Sequence, residues 1–360
     1  MRVSVGTYTG NATDDRQITV SQGQPEAVFV QEETEVGSNF NLTVKFASMS
    51  GTTSIRSGAS GTIANGIKAL NATGFTVGLN DSVNNDGRAY YWCALVKDTN
   101  FNNLETGSYT GDLVTPRTIT TALSGSFDDF IYDPAGFVFL YPTAVAGFVL
   151  IIDSAGAGAS WWVRYGVGAT GDINDTFRFR GAAAGQQNNI IRTLGATSFA
   201  ISDNTSVNDT GVTYYYLFAQ RVQDGVLTAV FSPNLLIAEY DETDPVVDDR
   251  QINAGPIAID PLFVHVRGTT TVNRRECYRF GITGDASWQA AHTAAAGNVA
   301  ADRIQSLNAS GLVVGADGDV QGIAGAPVEA FTYIALADFF PGTLPDTDLK
   351  PYPTTTYLLP

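Results

Sequence analysis

The chain has 360 residues, of which 44% are hydrophobic and 16% charged, and its formal net charge is −16. This hydrophobic fraction can fill real cores, which excludes wholesale disorder. The acidic balance argues against a nucleic-acid partner, because phosphate binding needs clustered Lys and Arg. Gly, Thr, Asn, Val, Tyr and Phe are plentiful and long amphipathic helices are absent, so the sequence predicts an all-β fold.

Strand signals follow one another about every ten residues in the first hundred residues. They are RQITV (16–20), AVFVQ (27–31), NLTVKFA (41–47), GFTVG (74–78) and AYYWCALV (89–96). The last two show apolar alternation with a period of two, and we expect them to form a hairpin whose turn is Asn84 to Gly87. The stretch TIANGIKAL (62–70) has the only helix-like spacing.

This set of segments recurs three times in the same order. The recurring pieces are GTYTGNATDDRQI (6–18), GSYTGDLVTPRTI (107–119) and AEYDETDPVVDDRQI (238–252), followed by KFA (45–47), RYG (164–166) and RFG (279–281), then by the predicted hairpins 74–96, 198–220 and 311–337. Such a series predicts three tandem antiparallel β-sandwich domains. We place them at 1–103, 104–235 (with enlarged loops) and 236–345, and call them copies one, two and three; a C-terminal tail covers 346–360. Phe75, Phe199 and Leu312 should then hold equivalent core positions.

Three polar anchors recur in every copy, and we interpret them as scaffold. A tyrosine is expected to lay its ring on the sandwich and send its hydroxyl to a polar partner. An arginine before an inward Ile is expected to brace an acidic loop, and a third cation to stack on the aromatic residue beside it. The tyrosines are Tyr8, Tyr109 and Tyr240, the arginines Arg16, Arg117 and Arg250, and the third cations Lys45, Arg164 and Arg279.

Catalysis needs unlike residues that converge on one pocket, and the sequence shows no such set. The two histidines, His265 and His292, both lie in copy three, and no HExxH, CxxC or phosphate-binding glycine motif is present. We therefore expect no enzyme activity, no cofactor and no zinc site. Cys93 and Cys277 lie within apolar strands and are predicted to be buried free thiols.

No apolar run approaches transmembrane length, and the first residues lack a signal-peptide pattern, so we expect synthesis in a cytoplasm and no membrane partner. The densest acidic segment, DETDPVVDD (241–249), offers oxygen ligands of the kind calcium prefers, although its spacing does not match an EF-hand. A solvated acidic turn is the other interpretation of this segment. Asp128 and Asp129 are adjacent on one strand and so do not form the facing pair that a glycosidase needs.

Consecutive aromatic residues are the remaining functional signal. On a strand, neighbouring side chains point to opposite faces, so such a run implies two buried faces or a contact surface. Packing between the three domains is the interpretation we favour, and stacking on a glycan is the alternative. The contact candidates are Trp161, Trp162, Tyr214, Tyr215 and Tyr216.

The order G-[ST]-Y-x-G, R-x-I, P-x-x-V-x-V and GF-x-V…V-N-x-x-G-x-x-Y-[YW] resembles a repeated β-sandwich domain of tailed-bacteriophage virion surface proteins, among them tail fibres. Copy two keeps most of the motif, whereas copy three has Gln321 in place of the Asn and a longer loop. Copy one carries it through Gly6, Tyr8, Gly10, Arg16, Pro25, Val28, Val30, Gly74, Phe75, Val83, Asn84, Gly87, Tyr90 and Trp92.

The resemblance implies a non-enzymatic structural protein of the virion, made in the cytoplasm of a bacterial host. Three similar domains in one chain suit a compact pseudo-threefold body, as expected of a capsid decoration or cement protein whose partners are the major capsid or tail proteins. The alternative is a tail-fibre or other receptor-binding adhesin, with the domains in a row and the loops of copy two on host-surface glycan. The two hypotheses differ in arrangement, compact body against extended string.

Overall fold

The computed structural model describes residues 1–33, 42–56, 61–97, 102–123, 129–132, 138–141, 147–154, 161–166, 175–180, 186–188, 190–195, 197–220, 235–241, 249–253, 261–268, 277–282, 287–289, 299–300, 303–308, 311–317, 320 and 330–337. The fold is all-β and its sheets are antiparallel, as the sequence predicts.

Copy one contains a six-stranded sheet and a three-stranded sheet. The larger sheet has the order β1 (Arg2–Thr9), β9 (Ala89–Val96), β3 (Pro25–Glu32), β4 (Thr43–Phe46), β5 (Ser54–Arg56) and β6 (Gly61–Ile63). The smaller has the order β2 (Arg16–Thr19), β8 (Gly74–Val77) and β7 (Ile67–Asn71), and α1 (Asp81–Asn84) is a single helical turn between β8 and β9.

Copy two repeats this strand order. Its larger sheet runs β10 (Leu104–Thr110), β20 (Thr213–Gln220), β14 (Gly147–Asp153), β15 (Trp161–Gly166), β16 (Asp175–Arg180) and β17 (Gln186–Asn188). The smaller runs β11 (Arg117–Thr120), β19 (Ser198–Ile201) and β18 (Ile191–Leu194), with α2 (Thr205–Asn208) between β19 and β20. An additional pair, β12 (Asp129–Tyr132) and β13 (Val138–Tyr141), lies within the predicted enlargement of this copy.

Copy three has the same two sheets. The larger runs β21 (Leu235–Asp241), β29 (Ala330–Ala337), β23 (Pro261–Gly268), β24 (Cys277–Phe280), β25 (Ser287–Gln289) and β26 (Val299–Ala300). The smaller runs β22 (Arg250–Asn253), β28 (Gly311–Val314) and β27 (Ile304–Asn308). Strand β21 begins one residue before the start of copy three at 236.

Each pair of sheets encloses its own apolar core, and the three cores use equivalent positions. Phe75 is opposite Ile18, Phe199 opposite Ile119 and Leu312 opposite Ile252 in their small sheets, and all three side chains are fully buried. The prediction that Phe75, Phe199 and Leu312 correspond is therefore confirmed.

The prediction of hairpins at 74–96, 198–220 and 311–337 is wrong, because in each case the two strands lie in different sheets. In copy one, β8 belongs to the small sheet and β9 to the large one, and α1 carries the chain from one sheet to the other. Val83 of α1 is fully buried and fills the space between the sheets. Gly87 has the expected left-handed φ, 72°, but Asn84 is helical and Asn85 is extended.

The helix-like spacing of 62–70 is also misleading, because this segment forms strands β6 and β7. Asn65 adopts a left-handed φ of 54° between them, which ends the first strand. A bulge at Ile67 to Ala69 then shifts the pairing of β7 with β8. A bulge breaks the two-residue alternation, so a bulged strand imitates the apolar spacing of a helix.

The large sheets bury both faces, which is the feature that joins the copies. In β9, Trp92 and Ala94 point into the core of copy one, whereas Cys93 and Leu95 point into a second apolar cluster. That cluster, here called the shared core, takes buried residues from all three large sheets. They include Val3, Ala27, Val44, Phe46, Cys93 and Leu95 from copy one, Phe148, Leu150, Trp161, Val163 and Leu217 from copy two, and Tyr278, Phe280, Ile334 and Leu336 from copy three.

Polar and aromatic contacts also join copy one to its neighbours. The Tyr278 hydroxyl of copy three donates to Gln31 Oε1 at 2.8 Å in a buried bond. Thr106 of copy two donates through Oγ1 to Glu26 Oε1 at 2.7 Å, and Tyr91 stacks on Phe280 with ring centroids 6.5 Å apart. The three copies thus form one compact body around the shared core.

Candidate functional site

The predicted contact aromatics lie mostly inside the molecule. Trp161 is fully buried in the shared core, and Tyr214 and Tyr216 belong to the core of copy two. Tyr215 is half-buried and packs against the shared core, and the side chain of Trp162 is outside the described residues. Trp161 and Tyr215 therefore pack in or against the shared core, and Trp161, Tyr214 and Tyr216 present no exposed ring face.

Residues on or next to the three large sheets line a cavity of about 50 Å³ within the shared core. Phe29, Leu150 and His265 contribute to its wall, and they hold equivalent positions, opposite Cys93, Leu217 and Ile334 in their sheets. The full lining is Phe29, Leu42, Cys93, Leu95, Phe148, Leu150, Val163, Phe263, His265, Ile334 and Leu336. Each copy therefore supplies part of this wall, and no strand signal in the sequence indicated that such a space exists.

The recurring tyrosine and arginine anchors, Tyr8 with Arg16, Tyr109 with Arg117 and Tyr240 with Arg250, lie together at one end of each pair of sheets, an arrangement here called the clasp. In copy one the Tyr8 hydroxyl donates to the Val83 carbonyl, and the Arg16 guanidinium lies 5.1 Å from the Tyr8 ring centroid and donates to the Thr9 carbonyl. Burial raises the pKa of the Tyr8 hydroxyl, which keeps it a donor. The predicted polar partner of this hydroxyl is thus a backbone carbonyl.

Asn84, which the sequence analysis placed in a turn, completes this clasp through its side-chain hydrogen bonds. The side chain is fully buried and accepts from the Asn11 backbone N–H at 3.0 Å. Its amide nitrogen donates to the Thr13 and Gly78 carbonyls at 2.8 and 3.0 Å. One side chain therefore ties the loop after β1 to the crossing between the sheets.

Copy two repeats the clasp with its own residues. Tyr109 donates to the Val207 carbonyl at 2.6 Å, and Arg117 lies 5.2 Å from the Tyr109 ring centroid. Asn208 accepts from the Asp112 backbone N–H at 3.0 Å. In copy three, Arg250 lies 5.6 Å from the ring centroid of Tyr240.

The prediction that the arginines brace acidic loops therefore needs correction. In copy one, Arg16 donates instead to the Thr9 carbonyl and to Asn84 Oδ1. An ion pair with an acidic residue occurs in copy two, where Arg117 lies 3.2 Å from Asp112. Stacking of a cation on a tyrosine ring occurs at Arg16, Arg117 and Arg250.

Glycines of the motif allow close approach around the clasp. A Cβ on Gly6 would overlap the Trp92 ring, and one on Gly10 would overlap the Asn85 carbonyl oxygen. In copy two, a Cβ on Gly107 would overlap the Tyr216 ring, and one on Gly111 would overlap the Asp209 carbonyl oxygen. The G-[ST]-Y-x-G motif is thereby explained by packing.

The third set of cations is buried and bonded to backbone. Lys45 Nζ donates to the Gly51 and Thr53 carbonyls at 3.0 and 2.7 Å. Arg279 donates to the Ile304 carbonyl at 2.7 Å, and Arg164 donates to the Ile191 carbonyl. These bonds satisfy the charges of the three buried side chains, because a buried cation needs hydrogen-bond acceptors.

Lys45 makes a pH-dependent contribution that can be measured. Burial lowers the pKa of its ammonium group to about 8. The unfolded chain, whose lysines titrate near about 10.4, then binds more protons than the folded chain between these two values. Stability due to Lys45 should therefore rise with pH across this window.

We compare the unfolding free energy of the wild type with that of Lys45→Met. The difference, wild type minus variant, should increase by up to roughly 3 kcal/mol between about pH 7.5 and about pH 10. The measurement is urea unfolding of both proteins across this range. Taking the difference removes the titration of other groups, and Lys45→Arg, which copies the residue of the other two copies, serves as the charged control. A difference that is flat or falls with pH would contradict the assignment.

In the described part of the chain, no group of three or more His, Cys, Asp or Glu side chains is placed to hold a metal ion. The calcium candidate 241–249 lies outside the described residues apart from its two ends, as does His292. His265 is buried in the wall of the cavity, and Cys93 and Cys277 are buried and form no disulfide, as predicted.

Comparison with models of known protein families found no match, and no curated protein matches the sequence either. In the described residues, no helix has the length and apolar character needed to cross a bilayer.

Proposed function

We propose that this chain is a non-enzymatic structural protein of a bacteriophage virion, and specifically a capsid decoration protein built as a pseudo-trimer. The observation that carries the proposal is the shared core, because it makes three similar copies into one compact body. An adhesin with its domains in a row has no need of such a core. The resemblance of the motif to phage surface proteins supports the virion setting, although its residues act as scaffold.

A body of three similar copies suits a position of threefold or quasi-threefold symmetry on a shell. Each copy then offers related loops to related neighbours, while differences between copies adapt to environments that are not identical. The partners are other virion proteins, first of all the major capsid protein. A stable contact of this kind buries on the order of 1,500 Å².

Exposed apolar residues indicate which end of the body docks. Leu79 of copy one and Val114 of copy two are 49% and 56% exposed. Leu79 directly precedes the crossing that holds Asn84, and Val114 accepts a hydrogen bond from Asn208, so both lie at the clasp ends of their sandwiches. We assign the docking surface to these clasp ends, because Leu113 and Val114 are adjacent and both exposed there, and contiguous apolar surface marks a site of association.

The test uses particles that lack the protein. They are expected to lose resistance to heat while adsorbing normally to cells, and added wild-type protein should restore the resistance. The variant Leu79→Ser/Val114→Ser should restore it poorly, whereas Ile282→Ser, at an exposed residue that follows β24, serves as the control. Normal heat resistance together with lost adsorption would overturn the decoration proposal in favour of the adhesin.

A further inference from the structure

We propose that the cavity in the shared core is a binding site for one small apolar molecule, of the size of a xenon atom or a very short hydrocarbon. The proposal is independent of the function proposed above. It depends on three observations: the volume of the cavity, the chemistry of its wall and its position between the three copies.

The wall excludes water as the natural occupant. Ten of the eleven lining residues are apolar, and His265 is the one polar side chain among them. A buried water needs two to four polar partners, whereas cavities lined by Leu, Ile and Phe stay dry and accept apolar guests. A guest without hydrogen-bonding groups is therefore the class of ligand that this wall selects.

The volume sets the size of the guest. An engineered apolar cavity of about 150 Å³ binds benzene or xenon. At about 50 Å³ the present cavity is too small for an aromatic ring but has room for one xenon atom. Dispersion contacts with Leu42, Leu95 and Val163 would replace the contacts that the empty space lacks.

The position of the cavity explains why it exists and what binding would do. Three equivalent side chains, Phe29, Leu150 and His265, converge from three sheets and differ in size and shape, so they do not fill the centre completely. Because all three copies contribute to the wall, the intact site requires their association. A guest that binds this site stabilises the assembled body relative to separated copies.

The experiment is xenon titration of the full-length chain with isotope-labelled methyl groups. We expect saturable shifts confined to methyls of lining residues such as Leu42, Leu95, Leu150, Val163 and Leu336. Val163→Ile adds one methylene group to the wall and should weaken the binding several-fold. Shifts at the exposed Leu79 methyls serve as the control for non-specific contact.

A second variant keeps the proposal testable if Val163→Ile folds poorly. Leu150→Ala enlarges the cavity, and benzene should then raise its thermal midpoint while leaving that of the wild type unchanged. Absence of saturable shifts at the lining methyls of the wild type would overturn the proposal. Shifts of equal size at Leu79 and at the lining residues would do the same.

Discussion

Replacing Trp161 with alanine is expected to lower the unfolding free energy by about 3–5 kcal/mol, the range for a large buried aromatic side chain. Trp161 is fully buried and belongs to the shared core, which contains residues of all three copies. Its removal leaves a large space in a close-packed interior. The measurement is chemical denaturation of both proteins, and Leu79→Ala, at a residue 49% exposed, should change stability by no more than about 0.5 kcal/mol.

The effect of Trp161→Ala should also spread beyond its own copy. Because the shared core joins the large sheets, amide hydrogen exchange should accelerate in β9 of copy one and β29 of copy three as well as in β20 of copy two. An increase confined to copy two would show that the copies unfold independently. A loss of less than about 1 kcal/mol would show that Trp161 is not a main element of the core.

Replacing Asn84 with alanine is expected to lower the unfolding free energy by about 2–3 kcal/mol. The change removes a buried bond to the Gly78 carbonyl and two partly buried bonds, from the Asn11 N–H and to the Thr13 carbonyl. The Gly78 carbonyl loses a buried partner and carries the full cost of desolvation, whereas water can reach the other two groups. The measurement is again chemical denaturation, with hydrogen exchange in the loop after β1.

Two further variants sharpen the test of the clasp. Asn84→Asp keeps the shape of the side chain but loses both donors, so it should fail to restore stability. Asn208→Ala in copy two should have a comparable cost, since Asn208 bonds to the Asp112 N–H and to the Val114 and Ser202 carbonyls. Asn71→Ala on the outer face of the small sheet is the mild control. An Asn84→Ala protein as stable as this control would contradict the role of the clasp.

The sequence by itself determined the all-β class, the repeated order of strands and the core positions Phe75, Phe199 and Leu312. These follow from local signals, namely apolar alternation with a period of two and sequence segments that are repeated three times along the chain. It also determined that adjacent aromatics such as Tyr214 and Tyr215 require two covered faces. Each of these properties is encoded in neighbouring residues along one strand, which is why no tertiary information was needed.

Only the tertiary structure decided where the strands pair and what covers their second faces. The alternation in 74–96 is equally compatible with a hairpin and with two strands in different sheets, and the burial of Val83 and the bonds of Asn84 select the second. Likewise, an apolar face at Cys93 and Leu95 is the same in sequence whether it packs on another molecule or on another copy. The shared core and its cavity arise from the convergence of residues more than one hundred positions apart, and no local pattern carries the geometry of that convergence.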